Sequence, residues 1–188
     1  MKLFTKTHLL LCFTFLINIY AHAQSWKSLG NLNEFGQASY SGAYYNSMVR
    51  DGSGNLYVAY QDAANSSKLT VQKFNGTAWG ALGSAGISAG LASYISMVID
   101  GSGNLYVAYQ DFANSGNLTV QKFNGTSWAI VGGAGISAGA ASYNSMVIDG
   151  SGNLYVAYTD NANSNKLTVQ KWNGTAWATV GGAGISAG

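Results

Sequence analysis

Six aspartates recur in two sets of three, and within each set the interval is 49 residues. One set begins the stretch DGSGN and the other begins the pattern D-x-x-N-S; the positions are Asp51, Asp100 and Asp149, and Asp62, Asp111 and Asp160. Two carboxylates can hydrolyse a glycosidic bond when one is protonated and the other is ionised. Copies of one repeat have equivalent surroundings, so they do not separate into these two roles. The pattern therefore favours a repeated turn or binding loop over a catalytic pair.

The DGSGN stretch has one further chemical interpretation, a calcium loop with oxygen ligands at alternate positions. An EF-hand loop has glycine at its sixth position, where the second copy has Leu105, and the distal bidentate glutamate is absent here. Glycines that absorb unusual dihedral angles and an aspartate that bonds its own backbone explain the same residues as a turn. We therefore predict a turn and no metal site.

The amino-terminal 23 residues have the form of a secretory signal peptide. Two lysines precede an apolar run from Leu9 to Ile19, and a small-x-small pattern ends at Ala23. The run is too short to span a bilayer. We expect cleavage after Ala23 and a mature chain that begins at Gln24 and is secreted or lies at the cell surface.

The composition of the mature chain excludes several functional classes. Both histidines and the single cysteine lie in the first 23 residues. Removal of Lys2 and Lys6 from the nine basic residues leaves seven, which balance the seven Asp and Glu residues. Without an excess of positive charge, no nucleic-acid partner is expected. No cofactor and no membrane span are predicted for the mature chain.

Short strand patterns separated by turn residues account for the repeat. In the second copy the runs SYISMVID, LYVAYQD, LTVQKF and SWAIVG are separated by GSGN, FANSGN and NGT, and GAGISAG follows. Four such strands in a unit of about 40–50 residues are typical of a β-propeller blade. We predict an all-β propeller with four-stranded blades at about residues 44–83, 93–132 and 142–181.

The third and fourth strands of each unit are joined by Asn-Gly, which predicts a tight type I′ hairpin. The tryptophan that follows each hairpin is predicted to pack the outer edge of its blade. Residues 25–30, SWKSLG, match this fourth strand without the three strands that should precede it. We predict that residues 25–30 form the closing strand of a propeller ring.

Three blades and one strand do not fill a ring of the usual four to eight blades. We therefore expect residues 24–188 to form a partial propeller from a larger ring. Further blades, or a second copy of the chain, would be needed to close it.

The consensus YxSMVxDGSGNLYVAYxDxxNSxxLTVQKxNGTxWxxVG covers nearly all of the mature chain. It resembles the propeller repeats of exported bacterial surface proteins, in particular Bacteroidetes-type proteins with a carboxy-terminal secretion-sorting domain. Its D-x-x-G-N-L-Y-V-A core is similar to NHL-type repeats. The resemblance implies a propeller fold and export, and it leaves the ligand unspecified.

The loop between the second and third strands is the candidate ligand-binding surface, because the residues near it vary between the three copies. The candidates are Asp62, Asn65, Asp111, Phe112, Asn114, Asp160, Asn161 and Asn163 in the loops, with Asn46 and Asn144 on the first strands. An alternative role for the loop aspartates and asparagines is to hold the turn through Asx hydrogen bonds.

These observations predict a non-catalytic binding or adhesion module with a glycan or protein ligand. The alternative is part of a propeller-type glycoside hydrolase or lyase whose catalytic residues lie on blades outside this sequence. The lack of histidine, cysteine and an asymmetric carboxylate pair in the mature chain favours the binding module.

Overall fold

The computed structural model of the chain describes residues 41–187. The predicted signal peptide at 1–23 and the predicted closing strand at 25–30 lie outside these residues. The described residues form twelve β-strands and three short 3₁₀ turns. Within residues 41–187, no helix has the length and hydrophobicity needed to traverse a bilayer.

The strands form three antiparallel sheets of four, each in chain order. The first sheet contains β1 (Ala43–Arg50), β2 (Leu56–Asp62), β3 (Lys68–Phe74) and β4 (Trp79–Ala81). The second contains β5 (Ala92–Ile99), β6 (Leu105–Asp111), β7 (Asn117–Phe123) and β8 (Trp128–Ile130). The third contains β9 (Ala141–Ile148), β10 (Leu154–Asp160), β11 (Lys166–Trp172) and β12 (Trp177–Thr179). The first strands of neighbouring sheets contact each other. The structure is an arc of three β-propeller blades, which confirms the predicted fold class.

The middle blade is buried on both faces because a neighbouring blade covers each face. Leu105, Val107 and Tyr109 of β6 pack against the first blade. Tyr106 and Ala108, which alternate with them, pack against the third blade. Side chains of a strand point alternately to opposite faces, so a strand covered on both faces needs consecutive apolar residues. The run LYVAY meets this requirement.

The DGSGN turns are closed by their aspartates, as predicted. Asp100 Oδ1 accepts hydrogen bonds from the backbone N–H groups of Ser102 at 2.9 Å and Asn104 at 2.8 Å. Its Oδ2 accepts from Asn104 Nδ2 at 2.7 Å and from the Tyr106 hydroxyl at 3.3 Å. Gly103 has a φ of +84°, which glycine adopts without steric cost. The aspartate therefore fixes the turn.

The NGT hairpins join the third and fourth strands, but the predicted turn type is wrong. Gly125 has a φ of +97°, whereas Asn124 does not have a positive φ. A type I′ turn needs a positive φ at both positions. The connection is a loop of residues 124–127, in which Asn124 Oδ1 accepts from the N–H groups of Thr126 and Ser127 at 3.0 Å each. Side-chain hydrogen bonds of Asn124 therefore hold this loop, whereas the Asn-Gly pair predicted a type I′ turn closed by backbone hydrogen bonds.

The two ends of each blade carry different connections because the strands run antiparallel in chain order. The DGSGN and NGT turns lie at one end, here called the turn end. The D-x-x-N-S turns and the blade-to-blade loops lie at the opposite end, here called the linker end.

The outer faces of the arc expose apolar side chains that equivalent positions bury. Met48 on the first blade is 63% exposed, whereas its equivalent Met97 is 4% exposed. Leu167 on the third blade is 40% exposed, whereas its equivalent Leu118 is fully buried. These faces have the composition of an internal blade interface, so they are suited to pack against another blade.

We expect residues 24–188 to self-associate through these faces, because monomers rarely tolerate large exposed apolar patches. Light scattering coupled to size exclusion should detect the association. Leu167→Lys should weaken it, and Thr126→Lys on an exposed turn should not. A monodisperse monomer that melts cooperatively at micromolar concentration would contradict the expectation.

Candidate functional site

The D-x-x-N-S aspartates are buried groups that organise the linker end. Asp111 is 1% exposed and caps the 3₁₀ turn Phe112–Asn114, where its Oδ1 accepts from the Ala113 N–H at 3.1 Å. Its Oδ2 accepts from Asn114 Nδ2 at 2.8 Å and from the Thr119 hydroxyl at 2.9 Å. Asp62 and Asp160 make the equivalent bonds. Each carboxyl group is therefore satisfied within its own blade, as a buried polar group requires.

A hydrogen-bonded relay connects each aspartate to the loop that leads to the next blade. The Thr119 hydroxyl accepts from the Gly135 N–H at 2.9 Å and donates to Asp111. In the same loop, Ser137 Oγ accepts from the Leu118 N–H at 2.8 Å. The first and third blades repeat the relay. The loop is thereby fastened to the blade that precedes it.

The predicted ligand residues fall into three groups. The aspartates and the asparagines Asn65, Asn114 and Asn163 form the capping networks. Phe112, which is 52% exposed, and Asn161 lie at the first position of their 3₁₀ turns and face solvent. Asn46 is exposed on β1. Asn144 on β9 donates its Nδ2 to the Tyr94 carbonyl at 3.0 Å, and its Oδ1 is buried without a hydrogen-bond partner.

A cleft between the first and second blades opens at the linker end, with a volume of about 320 Å³. It is lined by Ile87, Ser88 and Ala89 of the blade-to-blade loop and by Tyr109, Asp111, Asn114, Gln121, Trp128 and Ile130 of the second blade. The structure thus brings two predicted residues, Asp111 and Asn114, into one cleft. Asn46, Phe112 and Asn144 are not among its lining residues.

Gln121 and Tyr109 supply the polar groups of this cleft. Gln121 Nε2 donates to the Tyr109 hydroxyl at 2.9 Å. Burial, and after it the charge of Asp111, raises the pKa of Tyr109 far above its ordinary value, so the hydroxyl keeps its proton at neutral pH. Within residues 41–187, neither the Tyr109 proton nor Gln121 Oε1 has a hydrogen-bond partner. The cleft therefore offers one donor and one acceptor to a ligand.

Trp128 supplies a flat apolar wall beside these groups. Its Nε1 donates to the Leu82 carbonyl of the first blade at 2.7 Å. Its ring packs against Phe123 with the ring centroids 5.2 Å apart. A second cavity of about 310 Å³ shares Trp128 and Ile87 with the cleft. The indole is therefore held in place between two open spaces.

The equivalent position between the second and third blades has the same framework with different contacts. Trp177 Nε1 donates to the Val131 carbonyl at 2.9 Å. Burial raises the pKa of Tyr158 to about 12. Gln170 Nε2 donates to the Ile136 carbonyl at 3.3 Å, and its Oε1 is buried without a partner. The two positions therefore present different polar groups.

Sequence reasoning missed Tyr109, Gln121 and Ser88. The run LTVQKF could have pointed to Gln121, because alternate residues of a strand lie on opposite faces of the sheet. Leu118 and Val120 pack toward the third blade, so Gln121 faces the first blade. A glutamine on a face that must be buried indicates either an internal hydrogen bond or a ligand.

A row of tyrosines on the innermost strands was also missed. Tyr45, Tyr94 and Tyr143 have φ angles of 51°, 49° and 53°, which is unusual for bulky residues. The ring centroids of Tyr45 and Tyr94 lie 4.9 Å apart, and those of Tyr94 and Tyr143 lie 4.7 Å apart. Burial, and after it the interaction of its hydroxyl with the hydroxyl of Tyr143, raises the pKa of Tyr94. The row forms an aromatic surface along the inner side of the arc.

The turn-end aspartates carry a different electrostatic signature. Partial burial acts to raise the pKa of Asp100, but hydrogen bonds from Asn104, Ser102 and Tyr106 outweigh it and hold the pKa below its ordinary value. Among the described residues, no group of three or more His, Cys, Asp or Glu side chains is arranged to hold a metal ion. The hydrogen bonds account for the ionised carboxylate.

No protein-family model and no curated protein matches the chain. Solved structures do match. The fucose-binding lectin of Aleuria aurantia, a six-bladed β-propeller, is 20% identical with a TM-score of 0.58, over 82% of this chain and 49% of that one. The fucose lectin of Kordia zhangzhouensis is 15% identical with a TM-score of 0.51, over 73% of this chain and 98% of that one. An α-L-arabinanase of Penicillium chrysogenum is 16% identical with a TM-score of 0.55, over 78% of this chain and 51% of that one.

These similarities establish the propeller fold. The chain spans about half the length of the Aleuria lectin and of the arabinanase. The three described blades are therefore a partial propeller. The resemblance to Bacteroidetes surface repeats and NHL-type repeats stays a prediction.

Asp100→Ala should lower the free energy of unfolding by about 1 kcal/mol at pH 7, because the turn loses its hydrogen-bond acceptor. The folded pKa of Asp100 lies below its ordinary value of 3.8. The stabilisation that the ionised Asp100 carboxylate adds to the free energy of unfolding is therefore present above pH 3.8. It disappears as the pH falls through the folded pKa. Thermal unfolding at pH 7 and pH 3 should show the two proteins converging at the lower pH. A melting temperature that rises with calcium, in a way this substitution abolishes, would indicate a metal site instead.

Thr119→Val should lower the free energy of unfolding by about 1–3 kcal/mol, because Asp111 loses a donor and the Gly135 N–H loses its acceptor. Thr126→Val, on an exposed turn, is the matched control and should change it little. Urea unfolding of the three proteins measures the difference. Equal midpoints for all three would show that the relay is not structural.

Proposed function

We propose that the chain is a carbohydrate-binding propeller module, secreted or located at the cell surface, and that the cleft between its blades holds the sugar. One observation carries the proposal: a fixed indole, Trp128, lies in the same cleft as the Gln121 amide and the Tyr109 hydroxyl. A sugar ring has apolar C–H faces and hydroxyl groups that both donate and accept. An aromatic wall beside a few directed polar groups suits such a ligand.

Two of the similar structures are lectins described in complex with, or specific for, fucose. Their identities of 15% and 20% establish a shared fold, so the ligand is inferred here from the cleft. The secreted or surface location rests on the signal-peptide pattern at residues 1–23. A glycan is favoured over a protein ligand because the polar groups lie within a cleft.

The carboxylates of the described blades favour binding over catalysis. Asp111, in the cleft, is engaged by three donors and holds the 3₁₀ turn. Asp100 lies at the opposite end of the seven-residue strand β6, about 20 Å away at roughly 3.3 Å per residue. Glycosidase carboxyl groups stand about 5–10 Å apart. These two groups therefore do not form a glycosidase pair.

A second candidate is part of a propeller hydrolase or lyase, since an arabinanase in complex with arabinobiose shares the fold. In that case the catalytic residues would lie on blades outside the described residues. The cleft between the first two blades would then contribute substrate binding.

Glycan-array screening of residues 24–188, with methyl-fucoside and arabinobiose among the probes, tests the proposal. The double variant Gln121→Ala and Gln170→Ala should lower affinity for a retained glycan about 5-fold, because the cleft loses one hydrogen bond to the ligand, which contributes about 1 kcal/mol. Gln72→Ala is the matched control at the same repeat position in the first blade. It should leave the affinity unchanged.

The proposed site would be contradicted if the double variant bound the glycan as tightly as the unmodified protein. It would also be contradicted if no probe on the array bound. Hydrolysis of a chromogenic arabinoside by the protein, with the activity retained after the protein is purified again, would support the second candidate.

A further inference from the structure

A larger cleft lies between the second and third blades at the turn end, opposite to the cleft described above. Its volume is about 440 Å³. The second blade contributes Tyr106 and Lys122 together with residues 129–132, and the third blade contributes Leu154 and Trp172 with the turn glycines Gly152 and Gly174. The proposed function does not use this cleft.

Trp172 distinguishes this cleft from its equivalent between the first two blades. The same repeat position holds phenylalanine in the other two blades, at Phe74 and Phe123. Gly132 lies against the indole: a Cβ added there would be 2.5 Å from Trp172 Cζ3 and 2.6 Å from Trp177 Cδ1. The backbone of the second blade therefore approaches two indoles so closely that a side chain would not fit. Trp172 is consequently held against a fixed wall.

Lys122 supplies the only cationic group among the residues lining this cleft. Its ammonium lies 5.2 Å from the centroid of the Tyr106 ring. The Tyr106 hydroxyl in turn donates to Asp100 Oδ2 at 3.3 Å. Within residues 41–187, no carboxylate lies close enough to Lys122 to form an ion pair. The ammonium is therefore available to an anionic ligand.

We propose that this turn-end cleft binds a sugar that carries a carboxylate, with the ring against Trp172 and the carboxylate at Lys122. The linker-end cleft contains no lysine or arginine among its lining residues, so it suits a neutral sugar. A single cation does not suffice for a polyanion such as nucleic acid, which needs several phosphate contacts. The choice of a sugar rests on the proposed function; the choice of an acidic one rests on Lys122.

The probes are trigalacturonate and its fully methyl-esterified form, in which a neutral methyl ester replaces each carboxylate on the same sugar backbone. Isothermal titration of residues 24–188 should show trigalacturonate binding on the order of 10-fold more tightly than the ester. Added salt should reduce this preference, because an ion pair is screened and an apolar contact is not.

Two variants assign the preference to this cleft. Lys122→Gln should remove the difference between the two probes. Trp172→Phe, which restores the residue of the other blades, should weaken both probes several-fold. Lys73→Gln is the matched control, because Lys73 lies over Tyr57 at the same repeat position. It should leave both affinities unchanged, and unchanged melting temperatures would show that all three variants are folded.

The Gln121→Ala and Gln170→Ala double variant separates this proposal from the proposed function. It should not change trigalacturonate binding, even if it abolishes binding of a neutral glycan. The inference is overturned if trigalacturonate does not bind at about 10 mM, if the ester binds equally well, or if Lys122→Gln retains the preference.

Discussion

Apolar packing of one blade against the next is the constraint on which the rest of this structure depends. Residues 24–188 contain no cysteine with which to form a disulfide, so the interfaces between sheets must supply most of the stability. The middle blade shows the requirement in full, since Val107 and Val120 are both buried, each toward a different neighbour. The outer blades satisfy it on one side, and Met48 and Leu167 mark the sides that remain open.

The clefts follow from the same packing. Neighbouring blades meet along their inner and central strands, and they leave space near the outer strands at both ends. The backbone framework repeats every 49 residues, so single substitutions decide what each space presents. Trp172 in place of phenylalanine changes the turn-end cleft between the second and third blades. The proposed ligand specificity therefore lies in the residues that break the repeat.

The repeated aspartates have structural roles that explain why they recur. Asp100 closes a turn through the backbone of its own loop, and Asp111 joins a 3₁₀ turn, a threonine and a blade-to-blade loop. Both networks hold the ends of a blade in a fixed shape. The Asp111 network positions Asn114 at the linker-end cleft, and the aspartates themselves have little capacity left for a ligand.

The sequence by itself determined the repeat, the four strands of each unit and the turns that separate them. These features depend on local rules: strand alternation, glycine at positive φ, and aspartate bonded to its own backbone. The type I′ prediction failed even so, because the Asn124 side chain competes with the backbone for the same N–H groups. Only the tertiary structure decided which side chains meet across blades. Tyr109 and Ser88 are 21 positions apart, and Lys122 and Trp172 are 50 apart. Their proximity depends on how one sheet lies on the next, and no local pattern in the chain encodes that distance.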